Sequence, residues 1–388
     1  MAEHITSLET EPRRSLGGWR IGAGAALLAL IVIGGTALGG EARQVALASL
    51  SALPFAVLAL LAYLGGTRFN WASVVAIIWA LVLVGGSAVG ALGYAFGALA
   101  GDLSTGQMPN LAPGDLLRVG LVFIGCSLAC VLGGLCCLPA MRRFFSRFIP
   151  INAESFVHAV ALATIVALIV ICFTPLLVLG APPLLSLVTN SEGLDLTGGR
   201  DAAGQLRDLV YGLVWTIPCA IVAVGYGVRR NLADALARLG LVRPSWRQVG
   251  AGLIVAVVLV VVVQLLGTAM DMLWSGLGWP QTDDAAFGEL MAFALSPLGA
   301  LVIGVTAGLG EELAVRGVLQ PRMGILLSNL FFTSLHAFQY SWDALLIVFL
   351  VGTVCGLVRQ RSNTTTAAIV HGTYNFILVM LAVAGIGG

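Results

Sequence analysis

Ala300-Leu-Val-Ile-Gly-Val-Thr-Ala-Gly-Leu-Gly-Glu311-Glu312-Leu-Ala-Val-Arg316-Gly-Val-Leu-Gln320 is an apolar, helix-compatible run with two carboxylates and a guanidinium at its centre. Inside a bilayer each such charge costs roughly 2.5 kcal/mol or more, so it persists only when it faces a protein interior and finds partners. Two later segments offer them, Phe332-Thr-Ser-Leu-His336 and His371-Gly-Thr-Tyr-Asn375. The run therefore belongs to a membrane-embedded bundle of helices, with polar side chains turned inward.

The rest of the chain agrees. Of 388 residues 59% are hydrophobic and 10% charged, against about 25% charged in a soluble protein. Apolar runs of about 20 residues recur along the whole length, the signature of a polytopic helical membrane protein. The short alternating segments of a β-barrel do not occur. A net charge of +1 gives no reason to expect nucleic acid, and all 20 basic residues are arginine. The seven cysteines, Cys126, Cys130, Cys136, Cys137, Cys172, Cys219 and Cys355, lie in or beside apolar runs without metal spacing, which favours packing roles.

Spans are expected at about 20–40, 45–65, 71–100, 115–138, 156–180, 207–228, 249–275, 294–320, 323–341, 343–358 and 364–384, eleven helices in all. Arg13, Arg14 and Arg20 precede the first, which reads as a signal anchor. A cytoplasmic N-terminus then places Arg68, Arg142, Arg143, Arg147, the arginines of 229–247, Arg322, Arg359 and Arg361 on the inner side. The outer loops hold Asp102, Asp115, Asp195, Asp283, Asp284 and Glu289, with Arg43, Arg200 and Arg207. The chain divides into a tail at 1–20, an N-terminal helical region at 21–228, an amphipathic connector at 229–248 on the inner surface, and a functional region at 249–388. The loop 181–206 reads as flexible. His158 beside Glu154 reads as packed or interfacial, and His4 as solvated. Trp215, Trp246, Trp274 and Trp279 fit interface anchors.

Depth singles out the candidate site. Measured from Arg322 and Arg361 at about 1.5 Å per residue, Glu311 lies about 16 Å deep, His336 about 21 Å and His371 about 15 Å. An acid and two imidazoles from separate helices thus share a layer. Glu312 and Arg316 stand at i, i+4 and can pair, while Glu311 points about 100° away. His371 and Asn375 form another i, i+4 pair, and Phe332 lies one turn below His336. A carboxylate near histidines offers a base for water, and an amide offers a donor to an oxyanion.

In order and spacing, Glu311-Glu312 with Arg316, Phe332 with His336, and His371 with Asn375 resemble the signature of the CAAX-processing and bacteriocin-processing (CPBP, Abi) intramembrane endopeptidases. The stretches 316–322 and 236–244 add to the likeness, which covers about 230–388 and leaves the first six helices unaddressed. Val315 stands where the family often has an aromatic. The resemblance implies peptide-bond hydrolysis in or beside the membrane: Glu311 activates water, His336 assists, and His371 and Asn375 stabilise the oxyanion. Glu312 and Arg316 then hold structure or orient substrate. Members are commonly labelled metalloproteases, and zinc would take Glu311, His336 and His371, although a glutamate-activated water requires no metal. The implied partners are a membrane-associated protein or peptide and the lipid of the cell membrane. Two rivals stand beside this reading: a proton-coupled transporter, and a binding or immunity protein without turnover.

Overall fold

A computed structural model describes residues 32–67, 69–100, 111–190 and 199–386. Fifteen α-helices follow in order: α1 (Gly40–Ala48), α2 (Leu53–Gly65), α3 (Asn70–Ala100), α4 (Pro113–Cys136), α5 (Pro139–Phe145), α6 (Phe156–Leu179), α7 (Pro183–Asn190), α8 (Ala202–Ala223), α9 (Leu232–Leu239), α10 (Trp246–Leu277), α11 (Asp284–Leu290), α12 (Pro297–Val305), α13 (Gln320–Leu335), α14 (Trp342–Arg361) and α15 (Thr364–Val383). No strand forms among the described residues. Among the described residues, eight helical runs are long and apolar enough to cross a bilayer, and the bent pair Gly40–Ser51 and Leu53–Gly65, at 50°, is a ninth candidate. The all-α polytopic bundle expected from hydropathy is therefore the fold. Most of the first expected span lies outside the described residues, as do His4, Arg13, Arg14, Arg20, Arg68, Asp102 and Asp195.

The longest run, Pro297–Leu335, has 39 residues, about 58 Å if straight and far beyond a hydrocarbon core of about 30 Å. It breaks at Gly324, whose φ of 70° and ψ of 176° are outside the helical range and are tolerated because glycine has no Cβ. The break separates the two spans expected at 294–320 and 323–341. The second is shorter than expected: α13 stops at Leu335, and His336, Ala337 and Gln339 continue in tight turns.

Other boundaries also moved. The 181–206 stretch contains α7, because Leu185 and Leu187 bury themselves and Leu184 N donates to Phe338 O at 2.8 Å. Asp201 caps α8 by accepting from Gly204 N at 2.8 Å, so that helix starts at Ala202 rather than near 207. Within 229–248, Asn231 caps α9, a left-handed Gly240 ends it, and a Ser245–Gln248 capping box opens α10. The apolar face of α9 packs Ala235 and Leu239 on Val224 and Leu313. Trp215 is not an interface anchor; it is buried and donates to Val45 O at 2.7 Å. His158 is buried, as one of its two readings required.

Helix α6 is the central pillar, with Leu162, Ile165, Leu168, Ile171 and Leu176 all inside. On one side it meets α3 and α4, and on the other Met323 of α13. Outward-facing Ile78, Leu81 and Val82 on α3, Phe123 and Ile124 on α4, and Val257, Val258 and Val261 on α10 give the bundle the apolar coat that lipid requires. One crossing positions the site. A methyl on Gly308 would lie 2.6 Å from Gly372 Cα, and one on Gly372 would lie 2.6 Å from Gly304 O. The carboxylate run and α15 therefore touch backbone to backbone.

Candidate active site

Between α12 and α13 the chain runs as two π-helical stretches, Thr306–Glu311 and Leu313–Leu319. π turns are rare and concentrate at functional sites. Here two arginines from elsewhere donate to their carbonyls, Arg359 Nε to Arg316 O at 3.2 Å and Arg238 Nη1 to Gly317 O at 3.1 Å. The neighbouring acids end up in unlike surroundings. Glu312 is wholly buried, whereas the Glu311 side chain is 39% exposed.

Glu312 is held from two sides. Its Oε2 lies 3.3 Å from Arg316 Nε, as the i, i+4 spacing predicted, and its Oε1 lies 2.9 Å from His371 Nδ1. A carboxylate beside a guanidinium accepts, so Nδ1 carries the hydrogen of that bond. The opposite nitrogen, Nε2, faces Glu311 Oε2 at 3.9 Å. That gap is too wide for a hydrogen bond, yet one water oxygen can reach both atoms at about 2.8 Å.

His336 comes from the end of α13. Its N–H bonds Thr333 O, and its Nδ1 lies 3.0 Å from Phe332 O. A carbonyl only accepts, so His336 holds its proton on Nδ1 and keeps the lone pair of Nε2 free. Phe332, buried, is the hub. Its ring centroid is 4.8 Å from that of His336 and 5.9 Å from that of His371, both edge-on, while Arg316 Cζ stands 4.8 Å over it. Glu311, Glu312, Arg316, Phe332, His336 and His371 thus form one connected set. Asn375 lies one turn beyond His371, half-buried, and its amide makes no hydrogen bond among the described residues.

Several contributors escaped sequence reasoning. Asn329, buried, accepts from Arg316 Nη2 at 3.4 Å and donates to Phe349 O at 2.8 Å and Thr353 Oγ1 at 3.0 Å. Arg316 Nη2 also donates to Gly352 O at 2.7 Å, and a methyl at Gly352 would collide with Asn329 Oδ1. Tyr340 stacks on His336 with 10° between planes and 6.1 Å between centroids. An asparagine and a glycine in apolar helices give no signal of this by themselves. Tyr340 follows His336 by four residues, and that spacing could have found it.

Among the described residues, the ligand atoms that lie within 4.8 Å of one another belong to Glu312, Cys355 and His371. Glu311, His336 and His371, the set named for zinc if one were bound, is not among the described groups brought that close. Cys355 joins the buried site instead of only filling apolar space.

Residues 293–377 match the family model described as type II CAAX prenyl endopeptidase Rce1-like. The match covers under a quarter of the chain and contains all seven motif residues, in accord with the resemblance drawn from the sequence. No curated protein and no solved structure gives a match. The apolar spans make the chain an integral membrane protein, and its segment 293–377 is similar to the CAAX endopeptidases.

Proposed function

We propose that the chain, whose segment 293–377 is of the type II CAAX endopeptidase family, hydrolyses a peptide bond of a membrane-associated protein or peptide by a glutamate-activated water. The observation that carries this reading is the His371 ring, fixed by Glu312 on one edge and facing Glu311 on the other. Glu311, the exposed acid of the pair, takes the proton of a water held against it. His336 Nε2, its lone pair free, accepts the second hydrogen bond of that water and orients it toward the scissile carbonyl. The Asn375 amide donates to the oxygen as it gains charge. His371, when it carries a second proton on Nε2, donates beside it. The proton held by Glu311 then passes to the leaving amine, which closes the cycle. Arg316 and Glu312 hold the ring in place without touching the substrate.

The donor chemistry does not suit a resident zinc. Glu312 already pairs with Arg316 at 3.3 Å, so a dication on the Glu312–Cys355–His371 group would lie against a guanidinium. Glu311→Gln, reconstituted in lipid with membrane-anchored peptides, is expected to stay folded and lose cleavage. Wild-type protein freed of metal by a chelator is expected to keep it. Cleavage by Glu311→Gln would sink the assignment. So would pH-driven solute movement by the wild type that Glu311→Gln stops, which would mark a transporter.

A further inference from the structure

A second polar cluster lies away from the motif residues, where three chain segments end together. Tyr63 is two residues from the end of α2, Arg229 and Arg230 follow α8, and Arg322 lies just before the Gly324 break. Arg230 Nη1 and Arg322 Nη2 both donate to the Tyr63 hydroxyl, the first at 3.3 Å. The cations of Arg229 and Arg322 stand 5.9 and 5.7 Å from the Tyr63 ring centroid. Tyr63, Arg230 and Arg322 are all buried, and Arg229 is exposed. The oxygens that serve Arg230 and Arg322 are neutral ones: the phenol and the carbonyls of Val224 and Val318. Neither arginine pairs with a carboxylate among the described residues. Arg322 Nε, inaccessible to solvent, has no acceptor there either.

Buried positive charge without a counter-charge is costly, and here it concentrates behind one exposed guanidinium. We propose that this cluster is an anion site for a phosphate oxyanion. Arg229 makes the direct contact, and Arg230 and Arg322 charge the floor beneath it. The cluster is at the ends of candidate spanning segments, and the ends of a spanning segment meet lipid headgroup phosphates. It also joins α2 and α8 to the run that carries Glu311, so an occupied site would tie the N-terminal helices to the candidate active site.

The test is the melting temperature of the full chain. One arm uses phosphatidylcholine nanodiscs with and without phosphatidylglycerol. The other adds inorganic phosphate against chloride at equal ionic strength. The expected result is a rise of about 3 °C or more with one anion, and less than about a third of that rise in Arg229→Gln and Arg230→Gln. A rise only with phosphatidylglycerol identifies a lipid headgroup, and a rise with phosphate alone a soluble phosphate group. No rise in either arm, or the same rise in the variants, overturns the proposal. Arg229 is exposed, so its variant stays folded and the test remains decisive even if Arg230→Gln does not fold.

Discussion

Arg316 and Arg322 lie on the same helical run, and both are buried. Arg316 finds a carboxylate at 3.3 Å, a backbone carbonyl at 2.7 Å and an amide oxygen at 3.4 Å. Arg322 finds a phenol and a carbonyl, and no acid among the described residues. The difference separates two uses of an intramembrane cation. Where the charge is neutralised inside the bundle, its geometry can orient Glu312 and His371. Where it is not, the field it produces extends to the bundle surface.

The contrast should appear in stability. Arg316→Ala leaves Glu312 buried with only its His371 hydrogen bond and no guanidinium, and should cost about 3–5 kcal/mol in a thermal melt. Replacing Glu312 and Arg316 together by leucine should cost clearly less than Arg316→Ala alone, because no charge is stranded. A double variant as unstable as the single one would break the comparison. Next in size is Gly352→Ala, whose methyl meets Asn329 Oδ1. Overpacking there should cost about 1–3 kcal/mol and lower cleavage through a displaced Arg316, so an unchanged melt would show that Asn329 yields freely. Tyr63→Phe removes the acceptor shared by Arg230 and Arg322, and should cost about 1 kcal/mol with less effect on kcat than Gly352→Ala. Smallest of all, Arg229→Gln in phosphate-free detergent should stay within about 0.5 kcal/mol of wild type. A larger loss would mean that Arg229 holds the fold rather than waiting for an anion.

Much of this was legible in the chain. Apolar run lengths gave the spans, and the i, i+4 spacing of Glu312 and Arg316 gave their ion pair, because a helix fixes local geometry. Equal depth placed the three motif segments in one layer, while their meeting depends on which way each helix turns its side chains. The π stretches were hidden, since a widened turn leaves no residue signature among so many glycines, and Gly324 looked like any of the 49. Depth says nothing of azimuth, so the division of labour between the two acids was not legible: Glu312 meets Nδ1 of His371, and Glu311 faces its Nε2. Tyr63 was invisible for another reason. It meets Arg322 from 259 positions away, and a lone tyrosine in an apolar helix resembles ordinary core.

At the Gly304–Gly308–Gly372 crossing no side chain stands between two backbones, so there is nothing there whose rotamer could swing aside. The carboxylate run and α15 are clamped like the closed edge of a book, and a polypeptide cannot thread that seam. On the opposite flank of that run Leu213 of α8 lies against Gly310, and Glu311 keeps its exposure. A helix outside the family segment thereby borders the run that carries Glu311.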